Sequence, residues 1–284
     1  MITLSPVDKG QLYRTFMEAF ADYAMDASRT TEDGLLLRAA KNAVDFEASA
    51  GAYDGDRLVG FTLIGVDEWG GSHTAFGAGT GVVPAFRRQG LAKAMFDHAL
   101  PRLRSCGVSR FLLEVLQENE PAIKAYRKSG FSTTRELRCF TAETAALRTL
   151  PESCPYEIRP IPPGEIPALR AALDWLPSFE NRLDAVERIP TEVRCLGVFE
   201  EKDCLGGIAY VPALNWLLTL AVHPSHRRRG IGTTLLRRLA HDIPESIPRL
   251  PALNIDGEDA GMRAFLVDLG FSPLVDQFEM AREI

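Results

Sequence analysis

The chain has 284 residues, a length that fits two domains, with 46% hydrophobic and 25% charged residues, as in an ordinary soluble globular protein. Its net charge of −6 argues against nucleic-acid binding through overall attraction. No stretch approaches the roughly 20 apolar residues that span a membrane, and the first residues do not predict a signal peptide. Five cysteines without a C-x-x-C pair favour a reduced, cytoplasmic setting.

The first part of the chain predicts helices and strands in alternation. A short strand over residues 2–7 precedes two helices, the first capped by Asp8 and the second starting near Thr31. Residues 49–53 and 58–64 predict a hairpin around an Asp-Gly-Asp turn. The next strand, residues 75–83, has glycine at positions 77, 79 and 81. Because glycine weakens a strand interior, this spacing predicts a bulge or a place where a ligand needs clearance.

A basic turn follows this strand, and a helix follows the turn. Residues 79–92 read GTGVVPAFRRQGLA, with Gly90 placed where the chain enters the helix at Leu91. The first N–H groups of a helix have no intrahelical partner, and the helix dipole adds partial positive charge there. Small side chains at Gly90 and Ala92 leave room for a ligand. The turn therefore suits a phosphate or pyrophosphate.

The same pattern recurs 140 positions later. Residues 222–232 read VHPSHRRRGIG, so Arg227 and Gly230 repeat Arg87 and Gly90. The offset also aligns residues 130–132 with residues 270–272, both of which read Gly-Phe-Ser. Such agreement in register predicts an internal duplication. We predict a first domain over residues 1–145, a linker over residues 146–155 and a second domain over residues 156–284.

The two turns, R-x-x-G-x-A and R-x-x-G-x-G, resemble the acyl-CoA pyrophosphate motif of the GCN5-related N-acetyltransferases. The resemblance implies an α/β fold: two tandem domains, each a twisted mixed sheet flanked by helices. It also implies acetyl-CoA as cofactor, with its pantetheine arm along the strand that precedes the turn. The implied cofactor contacts are Val82, Val83, Arg87, Arg88, Gln89, Gly90, Leu91 and Ala92. A possible second cofactor site comprises Val222, Arg227, Arg228, Arg229, Gly230, Ile231 and Gly232.

Acetyl transfer to an amine requires a neutral amine and a proton for the departing thiolate. An alkyl amine is mostly protonated at pH 7, and freeing it costs roughly 4–5 kcal/mol. Residues 113–131 read L-E-V-x-x-E-N-x-x-A-x-x-x-Y-x-x-x-G-F and resemble ribosomal-protein and related amine acetyltransferases. The resemblance implies Glu114 as general base, Tyr126 as general acid beside the cofactor, and Asn119 as a cofactor contact. Glu68 and Asp22 are alternative bases, and Asp22 and Tyr23 lie where the family places its acceptor.

The second copy departs from this pattern at each of these positions. Asn254, Asp259 and Leu266 stand where the first copy has its glutamate, asparagine and tyrosine. A leucine cannot donate a proton, so we expect the second copy to be catalytically silent, whether or not it binds a cofactor. His223 and His226 are three residues apart without a further ligand type nearby, and we expect no metal site.

The expected activity is therefore acetyl transfer from acetyl-CoA to a primary amine, by direct attack in a ternary complex in the first domain. The acceptor stays open between a small molecule and a peptide amine, with neither nucleic acid nor membrane as a partner. Two other interpretations remain. The active site could lie in the second domain, or the chain could be a non-catalytic acyl-CoA-binding regulatory module.

Overall fold

The computed structural model describes residues 1–22 and 30–284. They divide into two compact units. The first comprises Met1–Thr134 and Glu279–Ile284, and the second comprises Arg135–Phe278. No helix within the described ranges is long and apolar enough to cross a membrane.

The first unit is a mixed sheet flanked by helices. Its elements are β1 (Ile2–Pro6), α1 (Lys9–Phe20), α2 (Glu32–Lys41), β2 (Ala50–Asp54), β3 (Arg57–Trp69), β4 (Ser72–Val82), α3 (Leu91–Ser105), β5 (Arg110–Leu116) and α4 (Glu120–Lys128). Strands β1 to β4 are consecutive antiparallel neighbours, and β5 pairs with β4 in parallel. The predicted cap is confirmed, because Asp8 accepts the Gly10 N–H. The second helix starts where predicted, at Glu32, and Thr31 caps it by accepting the Gly34 N–H.

The second unit repeats these parts with a different beginning. Its elements are β6 (Ser132–Glu143, of which the first three residues belong to the first unit), α5 (Thr144–Arg148), β7 (Glu157–Pro160), β8 (Arg194–Glu200), β9 (Asp203–Val211), β10 (Trp216–Val222), α6 (Ile231–Asp242), β11 (Arg249–Asp256), α7 (Ala260–Asp268) and β12 (Ser272–Glu283, of which the last five residues belong to the first unit). Strands β7 to β10 form one antiparallel sheet, and β11 pairs antiparallel with β6. The expected class, tandem mixed sheets flanked by helices, is confirmed.

The apolar spacing of the sequence predicts helices over residues 164–176 and 181–188, but the structure has no α-helix in either segment. The chain forms 3-10 turns there instead, at Pro163–Ala172, Phe179–Asn181 and Leu183–Glu187. Pro163 and Pro167 fall within the first of these segments and Pro177 precedes the second. Proline has no N–H to donate and clashes with the preceding turn, so the apolar spacing alone overstated the tendency to form an α-helix.

The compact units divide the chain differently from the segments 1–145, 146–155 and 156–284. Residues 135–143 of β6 belong to the second unit, where Leu137 pairs with Asp256. The sequence pattern predicts residues 135–141 as the closing strand of the first copy. In the structure that place is taken by the last six residues, because the Ile284 N–H donates to the Ser109 carbonyl at 3.0 Å and Arg110 contacts Glu283 at 3.2 Å.

Candidate functional site

The turn between β4 and α3, residues 87–92, forms what we call the first cradle. Arg88 has φ 62° and Gly90 has φ 77°, and both lie in the left-handed region. Gly90 is the N-cap residue of α3 and has no side-chain cap, and the first intrahelical bond joins the Ala94 N–H to its carbonyl. Leu91 buries its side chain, whereas Gln89 and Ala92 are exposed. The first turn of α3 thus presents its backbone N–H groups at an exposed surface.

The Arg87 guanidinium is held by the protein. Its Nε donates to the Val82 carbonyl at 3.1 Å, and Nη2 donates to the Ala19 carbonyl at 2.9 Å. Both Asp22 carboxylate oxygens accept from it at 2.7 Å. The pKa of Arg87 is raised, and that of Asp22 lowered, chiefly by this hydrogen bonding. Arg87 therefore ties the end of α1 to the end of β4, a role that the prediction of a phosphate contact did not include.

The two alternative bases, Asp22 and Glu68, are poorly suited to accept a proton beside the first cradle. A carboxylate with a lowered pKa, such as Asp22, is a weak base. Glu68 contacts His73 Nδ1 at 3.2 Å at the hairpin between β3 and β4. The extended strand β4 carries the chain from there to Val82, a span of roughly 30 Å. Tyr23, which the sequence analysis placed near the acceptor, lies outside the described residues.

The end of β4 directs one backbone group away from β3. The Val83 N–H donates to the Val59 carbonyl at 2.9 Å, and the Val83 carbonyl accepts from Phe86 at 2.8 Å. Because bonded and non-bonded pairs alternate in an antiparallel ladder, the Val82 groups face the other side. The Val82 carbonyl accepts from Arg87. Of the two Val82 backbone groups, the N–H is then the one that remains to face the side of β4 on which β5 lies.

Strands β4 and β5 separate beside this group. Their parallel pairing runs from Thr74 with Arg110 to Gly77 with Leu113 and goes no further. The register of β3 against β4 shifts at this point, leaving Ala78 as an extra residue. This confirms the bulge that the alternate glycines predict. Glu114 is the first residue of β5 beyond the paired segment, so its half-buried side chain stands where the two strands diverge.

Asn119 and Tyr126 lie on the next helix along the chain. Asn119 is the N-cap of α4, and its Oδ1 accepts the Ala122 N–H at 3.2 Å. Its side chain thus stabilises the helix start, in addition to any contact with a cofactor. Tyr126 is half-buried, with its ring 5.7 Å from that of Phe131 in an edge-on arrangement. The fold therefore places Glu114, Asn119 and Tyr126 on consecutive elements, β5 and α4.

The second copy builds the same turn, residues 227–232, which we call the second cradle. Arg228 has φ 62° and Gly230 has φ 78°. Arg227 donates to the Val222 and Ala172 carbonyls and pairs with Asp174 at 2.6 Å, as its counterpart does in the first unit. The surroundings of the glycine differ, however. A Cβ on Gly230 would lie 2.3 Å from Ser153 Oγ, whereas one on Gly90 would have no neighbour within 4 Å.

In the second copy, the residues equivalent to Glu114, Asn119 and Tyr126 serve its own packing. Asn254 is buried with φ 58°, and its side chain bonds Gln277 at 2.7 Å and Ser178 at 3.3 Å. Leu266 is part of the hydrophobic core, and Asp259 caps α7. A small, mostly apolar cleft remains between β10 and β11. Across residues 1–22 and 30–284, no three His, Cys, Asp or Glu side chains gather as metal ligands.

A phosphate-type cradle that is built twice, and that in the first unit stands beside separating strands of a mixed sheet, agrees with the motifs. Residues 11–131, and again residues 147–271, match the acetyltransferase (GNAT) family. These two segments make up most of the chain. The chain belongs to the acetyltransferase (GNAT) family and carries its domain in tandem.

Among curated proteins, a mycothiol acetyltransferase of Geodermatophilus obscurus is 33% identical over 137 residues, 45% of this chain and 42% of that protein. A streptothricin acetyltransferase of Streptomyces lavendulae is 35% identical over 79 residues, 28% of this chain and 40% of that protein. The matched region is thus less than half the length of each relative.

Among solved structures, a tandem GNAT protein from the clavulanic acid biosynthesis pathway, without AcCoA, superimposes with a TM-score of 0.72 at 18% identity, covering 100% of this chain and 98% of that one. A GCN5-related N-acetyltransferase from Sphaerobacter thermophilus gives a TM-score of 0.68 at 12% identity, covering 99% and 95%. At these identities the likeness shows the tandem fold and nothing finer.

Proposed function

We propose that this chain transfers an acetyl group from acetyl-CoA to a primary amine by direct attack in a ternary complex, and that the first copy carries the reaction. One contrast supports the assignment to that copy. The first cradle is open beside diverging strands that carry a carboxylate, with a tyrosine on the helix that follows. The second cradle is in contact with Ser153, and neither an acid nor a base stands at the equivalent positions.

The first copy has a suitable place for acetyl-CoA. Its diphosphate would accept from the N–H groups of Gly90, Leu91 and Ala92, where a helix N-terminus favours negative charge. The surroundings fit, because no heavy atom lies within 4 Å of the position that a Gly90 Cβ would take. The Val82 N–H would pair with the pantetheine arm as an added strand does. When bound, acetyl-CoA supplies an acetyl group activated as a thioester.

Two side chains of the first copy would manage the protons. Glu114 takes a proton from the acceptor ammonium, directly or through water, which frees the nitrogen lone pair for attack. It stands half-buried where β4 and β5 diverge, beyond their last paired residues. The Tyr126 hydroxyl holds a proton for the departing thiolate. As the C–N bond forms and the C–S bond breaks, Tyr126 passes this proton to sulfur and takes up the second proton that the nitrogen loses, directly or through water. Glu114 releases its proton to solvent.

A small-molecule amine is the acceptor class that the relatives support. The two curated relatives are named for acetylation of mycothiol and of streptothricin, and the match to each covers part of its length. An amine acceptor is cationic at pH 7, so a carboxylate at the site both attracts it and removes its proton. This reasoning selects the class and leaves the individual acceptor to a substrate screen.

We expect Tyr126→Phe to lower kcat by about 10²-fold while the Kd for acetyl-CoA stays near the parental value, because general acid catalysis contributes about 10²–10⁴-fold. Turnover is followed as thiol release from acetyl-CoA with a panel of primary amines that includes streptothricin, amino sugars and amino acids. Binding is measured separately by calorimetry.

The matched control is Tyr13→Phe, which removes a hydroxyl on α1 that donates to the Thr30 carbonyl. It should retain parental turnover. Parental turnover in Tyr126→Phe would refute the acid assignment. If no amine in the panel stimulated thiol release by the parent chain, while acetyl-CoA still bound, the regulatory interpretation would replace the enzymatic one.

A further inference from the structure

The two cradles have the same backbone and different neighbours. Arg88 and Arg228 share φ 62°, and the φ values of Gly90 and Gly230 differ by one degree. Gly90 is exposed, whereas Gly230 is partly covered. The covering atoms belong to Ser153, whose Oγ, Cβ and carbonyl carbon would lie 2.3, 3.3 and 3.3 Å from a Gly230 Cβ. A segment of the chain itself thus rests on the N-terminus of α6.

This segment, residues 151–156, we call the covering segment, and it is anchored on both sides of Ser153. Glu152 Oε2 pairs with Arg237 Nη1 of α6 at 2.9 Å. Tyr156 Oη accepts from Arg229 Nη1, in the second cradle, at 2.9 Å. Cys154 and Tyr156 also pack against the hydrophobic core of the second unit. Ion pair, hydrogen bond and apolar contacts together fix the segment over Gly230.

The same contacts oppose an anionic ligand. The Arg229 side chain, a predicted phosphate contact, is directed to Tyr156 and donates to its hydroxyl. The Phe265 ring adds a second obstruction, since its Cζ would lie 2.9 Å from a Cβ on Gly232. The first copy has alanine at both equivalent positions, 92 and 125.

We propose that the covering segment closes the second cradle, so that each chain holds a single acyl-CoA, in its first copy. The proposal rests on the proposed function for the location of the first site. The covering segment is then a second physical cause, besides the absence of the acid and base side chains, for the expected inactivity of the second copy. A cradle whose backbone is intact but covered should bind once its cover is removed.

The test uses a chain in which the first site is disabled by Gly90→Glu. This variant should bind no acetyl-CoA in a calorimetric titration, since the second cradle is closed. Glu152→Ala with Ser153→Gly, added to Gly90→Glu, should restore one equivalent of binding, and adding Gly230→Glu should abolish it again. If the variant stays at zero, Phe265→Ala is added, which reproduces the alanine of the first copy and should then restore the site.

The matched control is Glu245→Ala with Ser246→Gly, the same pair of changes at another exposed Glu-Ser of the second unit. It should leave binding at zero in the Gly90→Glu background. Thermal unfolding shows whether each opened variant is folded. Folded opened variants without any second binding would overturn the proposal. The proposal would also be overturned if Gly90→Glu alone bound one equivalent and adding Gly230→Glu abolished that binding. This comparison needs no opened variant. The Tyr126→Phe kinetics test the proposed function independently.

Discussion

Glu114→Gln is expected to lower kcat by about 10²–10⁴-fold, the range that a general base contributes, with little change in the Kd for acetyl-CoA. Glutamine has nearly the same shape as glutamate and cannot accept a proton, so the acceptor nitrogen stays protonated in the bound complex. The side chain lies at the point where β4 and β5 diverge and does not belong to the first cradle, residues 87–92. The measurement is steady-state thiol release with a responsive amine, as a function of pH.

The pH profile separates a base from a structural carboxylate. The dependence of kcat on deprotonation of the enzyme should disappear in Glu114→Gln, and the residual rate should rise with pH only as the free amine becomes available. Glu118→Gln, an exposed carboxylate on the turn after β5, should behave as the parent does. If Glu114→Gln kept parental turnover, the general base would have to be another group or water.

Met280→Ala is expected to lower the free energy of unfolding by about 2–5 kcal/mol, the usual cost of truncating a fully buried methionine. Met280 is 0% exposed and lies in the last six residues, which belong to the first unit. Hydrogen exchange, read peptide by peptide, should therefore show greater loss of protection over residues 1–134 than over residues 135–278. Denaturant unfolding gives the total effect.

The control on the same strand is Leu274→Ala. Leu274 is 46% exposed and belongs to the second unit, so its truncation should cost much less. If Met280→Ala instead loosened mainly residues 135–278, the C-terminal strand would belong energetically to the second unit. The division at residues 145 and 156 predicted from the repeat would then describe the folding units better.

The cradles and their strands could be predicted because each depends on neighbouring residues. A glycine that follows two arginines at a helix start needs no distant partner to adopt a positive φ, and both turns do so. The repeat added information, since one pattern seen twice in register constrains both copies. The bulge at Ala78 has a counterpart at Leu218, 140 residues later, where the pairing of β9 with β10 shifts.

The pairing partners of β6 and β12 could not be predicted from the sequence. Alternation defines a strand and its two faces but not the strand beside it. The pairing of β6 with β11 depends on contacts between residues more than 100 positions apart. Arg135 and Asp256 form a mostly buried ion pair at 2.9 Å, and Cys139 contacts Asn254. Neither contact leaves a signal in local composition.

The role of Arg87, the first arginine of the motif, also could not be predicted from the sequence. A guanidinium suits a phosphate and a carboxylate equally well, and only the fold brings Asp22 to Arg87. The second copy makes the same contact through Asp174, which does not lie at the 140-residue offset from Asp22. The repeat alignment therefore could not have identified the partner. The contact of Ser153 with the second cradle could not be predicted for a similar reason, because Ser153 belongs to the segment between the repeats.

The central claim is that the first copy alone holds acetyl-CoA, and a calorimetric count of bound acetyl-CoA per chain tests it most directly. The parent, Gly90→Glu and Gly230→Glu are compared, with Gly107→Glu as control, because Gly107 has the same φ of 77° and open surroundings. We predict one site in the parent, lost in Gly90→Glu and kept in the other two. One site that survives Gly90→Glu and disappears in Gly230→Glu would contradict the account and assign the cofactor to the second copy.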